Sequence, residues 1–126
     1  VVSTVNALLV AEQLRPRELT VAITALGKAR LWAKALDVFR EMHVQKFNPE
    51  VISYNSVLSA LQRAGQWQRS VALLTEMRTA EVLPDVISFT VAIDACAKSG
   101  NWEASLELLK TAEQMLQPSV KMFRTA

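Results

Sequence analysis

Apolar residues in this chain fall at helical intervals, in two clusters that recur every 35 residues. In residues 51–85, Val57, Leu58 and Leu61 form the first cluster, and Trp67, Val71, Leu74 and Met77 then step by four, three and three. The same second stripe reappears as Trp32, Leu36, Phe39 and Met42, and as Trp102, Leu106, Leu109 and Ala112. This spacing predicts two amphipathic helices per unit, the second burying that stripe each time. Gly65 and Gly100 lie between the clusters, where a left-handed residue commonly ends a helix. Arg30 takes that place in the first unit, which predicts strain or another geometry there. Pro49 and Pro84 stop the second helix or follow its end.

The period extends beyond hydrophobicity. Trp32, Trp67 and Trp102 share one column, as do Ala25, Ala60 and Ala95; Thr20-Val21-Ala22-Ile23 returns two periods on as Thr90-Val91-Ala92-Ile93. Pro118 comes one residue early against Pro49 and Pro84, so the third unit has a shorter closing loop. The units are placed at 16–50, 51–85 and 86–119. Residues 1–15 read as the second helix of an upstream partial unit, and 120–126 as the start of another, so the chain is expected to be a segment of a longer array. A single hairpin of this length cannot bury both of its faces. The units must therefore stack, giving an all-α fold: an α-solenoid of tandem helix-turn-helix repeats of about 35 residues.

Composition narrows the function classes. Of 126 residues, 51% are hydrophobic, and only 3 Gly and 4 Pro are present, which favours helix over glycine-rich loops. With 14 Lys and Arg against 12 Asp and Glu, the net charge is +2, so binding to a polyanion has to come from a local arrangement of cations. The single cysteine, Cys96, excludes an internal disulfide and a zinc cluster. No apolar run approaches the roughly 20 residues that span a bilayer. No phosphate loop, nucleophile motif or recurring carboxylate pair is visible, so no enzyme, cofactor, metal or small-molecule substrate is expected.

The polar columns carry the candidate chemistry. Residues four and eight beyond the fifth position of each unit share one side of the first helix: Thr20, Thr24 and Lys28; Asn55, Ser59 and Arg63; Thr90, Asp94 and Lys98. Stacking aligns these into ladders, and the cations Lys28, Arg63 and Lys98 would meet an extended anionic polymer once per unit. Asp94 in the middle ladder weakens that track locally. A solvated polar face explains the spacing about equally well.

The stretch "VISYNSVLSALQRAGQWQRSVALLTEMRTAEVLPD" resembles a pentatricopeptide repeat. The likeness is carried by Val51, Ile52, Tyr54, Asn55, Leu58, Gly65, Met77, Pro84 and Asp85, and it extends in tandem over residues 16–126. Unit one departs at Pro16, Arg17 and Leu19; unit three departs at Ala112 and its shortened loop. The resemblance implies an organellar array, mitochondrial or plastid, that binds single-stranded RNA at one base per unit. It serves RNA processing, stability, editing or translation, with protein effectors engaged through segments outside this one.

By the same resemblance, base choice falls to the fifth residue with the last: Thr20 with Glu50, Asn55 with Asp85, and Thr90 with Ser119. Asn with Asp is linked to uracil and Thr to purines, giving purine, U, purine. Ile52 and Ile87 would clamp a base between apolar side chains, while Arg17 and Lys121 in the same column would use alkyl stems or cation stacking. Asn offers a base edge both a donor and an acceptor, and Asp85 would orient it directly or through water. The three tryptophans are read as packing residues, Cys96 as core and His43 as a solvent or helix-end residue. The competing readings are a peptide-binding helical scaffold and an array that only spaces neighbouring domains.

Overall fold

The computed structural model describes residues 16–116. It consists of three helical hairpins: α1 (Pro16–Lys28) with α2 (Trp32–Val44), α3 (Val51–Arg63) with α4 (Trp67–Thr79), and α5 (Val86–Lys98) with α6 (Trp102–Met115). No strand occurs among the described residues. The expected partial units at 1–15 and 120–126, and with them Ser119 and Lys121, lie outside that range.

The predicted turns form as backbone geometry requires. Gly65 and Gly100 adopt φ of 69° and 81°, and Arg30 takes the same left-handed conformation at 63° despite its side chain. Of the two outcomes expected at Arg30, the structure takes the strained one. Each turn closes with paired bonds, Arg30 N–H to the Gly27 carbonyl at 3.0 Å and Leu31 N–H to that of Leu26 at 2.9 Å in the first. These bonds satisfy carbonyls that the helix end would otherwise orphan. Lys46 and Glu81, also 35 positions apart, repeat the device at the ends of α2 and α4 with φ of 60° and 62°. Pro49 and Pro84 therefore follow the helix ends and do not cause them.

The first helices form a continuous layer. α1 packs on α3 and α3 on α5, while α2 and α4 each bridge from their own first helix to the next one. The core runs through the stack: Leu19 and Ile23 of α1, Phe39 and Met42 of α2, Tyr54, Val57, Leu58 and Leu61 of α3, Met77 of α4, and Phe89 of α5 are buried. Leu19 fills the column that Tyr54 and Phe89 occupy, so the departure of unit one from the pattern leaves the packing intact. Phe39 meets Tyr54 edge-on across the unit boundary, with ring centroids 4.9 Å apart. At the α1–α3 crossing the backbones come close: a Cβ on Gly27 would lie 2.8 Å from the Ala60 Cβ. Here glycine is required for approach.

The second helices depart from expectation in one respect. The stripe is buried or half-buried in α2 and α4, whereas in α6 only Ala112 is buried, with Trp102 65% exposed and Leu106 and Leu109 exposed too. The reason lies in what covers the stripe. Trp32 is half-buried with the Arg69 guanidinium of the following unit 4.7 Å above its ring, and Phe39 packs on Tyr54 of that unit. Among the described residues no unit follows α6. The packing role expected for all three tryptophans holds for Trp32, is partial for the half-buried Trp67, and fails for Trp102. Cys96 is fully buried, and burial pushes its thiol pKa up. His43 is exposed, with Nδ1 3.2 Å from the Phe39 carbonyl.

Candidate nucleic-acid interface

The exposed side of the α1–α3–α5 layer carries two clefts. The one over α3 has a volume of about 230 Å³ and is lined by Ile52, Asn55, Ser56, Ser59 and Arg63 of that helix, with Thr24 and Ile87 from the helices either side. Its neighbour, about 530 Å³, is lined by Arg17, Thr20, Val21, Glu50, Ile52 and Ser53 among others. Ile52 belongs to both clefts. It is 68% exposed and Ile87 57% exposed, although the same helices bury other large apolar residues almost completely. Each sits one residue into its helix, on the side turned from the core, so each wets an apolar surface that folding does not use.

Asn55 lines the smaller cleft. Its Nδ2 donates to Asp85 Oδ1 at 3.1 Å, and its Oδ1 accepts from the Ser88 hydroxyl. The sequence pointed to Asn55 with Asp85, and the structure brings them into direct contact. Asp85 owes its position to a second task. It is the N-cap of α5, accepting from the Ser88 N–H at 3.0 Å while the Ser88 hydroxyl accepts the Asp85 N–H at 3.1 Å, a reciprocal capping box. Burial raises the Asp85 pKa, but the Ser88 N–H, the Asn55 amide, the Ser88 hydroxyl and the Ile87 N–H outweigh it. The carboxyl is held below its ordinary value of 3.8 and is ionised at neutral pH.

The other pairs are arranged differently. Thr20 and Glu50 line the same cleft, but Glu50, the N-cap residue of α3, makes no side-chain capping bond and is exposed. Thr20 Oγ1 instead lies 2.9 Å from Ser53 Oγ. Thr90 is exposed on α5, and its expected partner Ser119 lies outside the described residues.

The small polar ladder is largely internal. Thr24 donates to the Thr20 carbonyl at 3.1 Å and to Ser56 at 3.0 Å, and Gln62 donates to Asp94. The bonds to Ser56 and Asp94 tie one first helix to the next. Of the cations, Lys28, Arg63 and Lys98 are all exposed, and Arg63 stands at the edge of the Asn55 cleft. Lys98 is paired with Asp94 at 3.1 Å, and the Gln62 hydrogen bond, then Lys98, lowers the Asp94 pKa.

Ser53 and Ser88 were given no role by sequence reasoning, although both stand in the third column of their units. That recurrence of a buried hydroxyl was the available signal. Among the described residues no helix is long and apolar enough to cross a membrane, and no cluster of metal-ligating side chains forms.

Comparison with known families agrees with this architecture. A model of the PPR repeat family matches residues 49–98, and a PPR repeat model matches residues 19–47 and 87–114. The chain belongs to the PPR (pentatricopeptide repeat) family. The matched segments cover each of the three hairpins, and the family is a helical repeat scaffold generally associated with RNA binding and commonly organellar. No curated protein matches the chain.

Proposed function

We propose that this PPR array segment binds single-stranded RNA selectively, one base per unit, and acts in organellar RNA processing, stability, editing or translation. The observation that carries the reading is Asn55, which is hydrogen-bonded to Asp85 and lines a cleft together with Ile52 and Ile87. Its volume of about 230 Å³ falls below the roughly 300–1,000 Å³ of sites for drug-sized ligands, a scale that suits a single base. The two isoleucines offer apolar surface to the faces of a ring, and the amide between them addresses its edge. Arg63 supplies a cation beside the cleft, and Lys28 extends the track. With Asp94 beside it, Lys98 contributes least. The preference that follows is purine, U, purine, opposite Thr20, Asn55 and Thr90, with Glu50, Asp85 and Ser119 as the second members of each pair. Ile52 would serve two bases, with Arg17 on the far side of the first.

The test is binding of the chain to five-nucleotide RNAs that differ only in the central base, followed by NMR. Uracil should bind best and shift the methyl resonances of Ile52 and Ile87 together. Asn55→Thr should move the preference to a purine, and neutralising Lys28 and Arg63 should weaken all four RNAs and lower the salt slope. Equal binding of all four bases, or none, rejects base reading and favours a peptide-binding scaffold.

A further inference from the structure

An asparagine amide shows a base either its donor or its acceptor end, and rotation of the side chain exchanges them. Selectivity therefore needs something that stops the rotation. Around Asn55 two groups do so, and the Asp85 N–H orients the second. The ionised Asp85 carboxylate is acceptor-only, so the amide nitrogen must face it, as the 3.1 Å contact has it. The Ser88 hydroxyl already accepts the Asp85 N–H at 3.1 Å. Its one proton goes to Asn55 Oδ1, with Asp85 Oδ1, 3.0 Å away, as the competing acceptor. Ser88 is fully buried, so water does not compete for that proton.

We infer that Ser88, a residue of the third unit, is a positioning residue for base choice by the second, fixing the Asn55 amide so that its remaining Nδ2 hydrogen is presented to the cleft. The inference rests on the proposed base reading of Asn55. Its chemical consequence is a fixed polarity. A base whose edge places a carbonyl oxygen there, as uracil O4 does, is matched, whereas the amino group of cytosine sets donor against donor. The first boundary shares the hydroxyl contact though not the carboxylate, with Thr20 Oγ1 2.9 Å from the buried Ser53 of the next unit. Base choice is thus a property of two consecutive units, with the orienting hydroxyl supplied from the following one at both described boundaries.

Two measurements on the chain separate this from a purely structural role. In the free protein, the Asn55 Nδ2 proton bonded to Asp85 should exchange slowly with water. Ser88→Ala should speed that exchange, and Ser88→Thr should restore the protection. With RNA, Ser88→Ala should lower the preference for U over C opposite Asn55 by about three- to tenfold, the range of one hydrogen bond. The preference opposite Thr90, in Ser88's own unit, should stay put. Equal weakening for every base, or a change confined to the Thr90 nucleotide, reduces Ser88 to a helix cap and overturns the inference. Should Ser88→Ala unfold the third hairpin, Ser53→Ala tests the same rule opposite Thr20, where no capping box is at stake; an unchanged preference there also overturns it. If the unaltered chain distinguishes no bases, the proposed function fails, and the amide exchange still decides whether Ser88 holds Asn55.

Discussion

The first unit and the second are built on one frame, yet they close on different carboxylates. Glu50 and Asp85 hold nearly the same extended backbone, φ −102° with ψ 177° and φ −106° with ψ −172°, each immediately before a first helix. Only Asp85 caps its helix, and only Asp85 reaches back to the fifth residue of its own unit. One methylene separates the two outcomes. The shorter side chain folds onto the N–H of the third helical residue, whereas Glu50 stays in solvent and leaves Ser53 to meet Thr20 directly. The turn inside each hairpin differs in parallel: Gly65 takes its positive φ without steric cost, and Arg30 does not. The second unit is the better-formed of the two on both counts, and the first is held to it by close packing.

That packing is where the comparison breaks most easily. Gly27→Val should cost about 2–3 kcal/mol, because the new Cβ would sit 2.8 Å from Ala60, a short side chain that cannot swing away. Thermal unfolding followed by circular dichroism should show it, and tolerance of valine would mean that α1 and α3 are not in close contact. Next in size is the contrast between the closing residues. Asp85→Ala should lose about 1–2 kcal/mol with its cap, while Glu50→Ala should stay within about 0.5 kcal/mol of the parent. Equal losses in urea unfolding would erase the difference argued above.

Two substitutions should bring the first unit closer to the second. Arg30→Gly relieves a left-handed residue that carries a side chain and should stabilise by about 1 kcal/mol. Glu50→Asp should add about 0.5–1 kcal/mol by capping α3. No gain in either midpoint would mean that Arg30 or Glu50 is already compensated by its surroundings.

How much of this was legible depends on the range of the interaction. The 35-residue period, the hairpins, the glycine turns and the buried columns are written in residue type and spacing. So were the positions of Ile52 and Asn55, which line one cleft, and of Asp85, which bonds to Asn55. Lys46 and Glu81 were invisible because a left-handed residue that is not glycine leaves no mark in the sequence. The pairings of Thr20 with Ser53 and Asn55 with Ser88 arise between residues 33 positions apart. Periodicity identifies which columns recur but not which of them touch across a boundary. Trp102 shows the converse, since its column predicts burial that only a following unit can supply.

The smallest effect tests the charge at Asp85 separately from its capping geometry. Its pKa is lowered in the folded chain, so its contribution to stability is complete above the unfolded value of 3.8 and is lost as pH falls through the lower folded value. Asp85→Asn keeps an N-cap oxygen but removes the titration. The Asp94 carboxylate, also lowered, first by Gln62 and then by Lys98, is common to both proteins and cancels in the difference. Urea midpoints of parent and variant should therefore converge as pH drops below 3.8, with the parent losing more. Parallel acid limbs would mean that the hydrogen bonds at Asp85 discriminate little between its charged and neutral forms. The carboxylate could then no longer be the anchor that turns the Asn55 nitrogen toward it, and the fixed polarity of the cleft would have to rest on Ser88 alone.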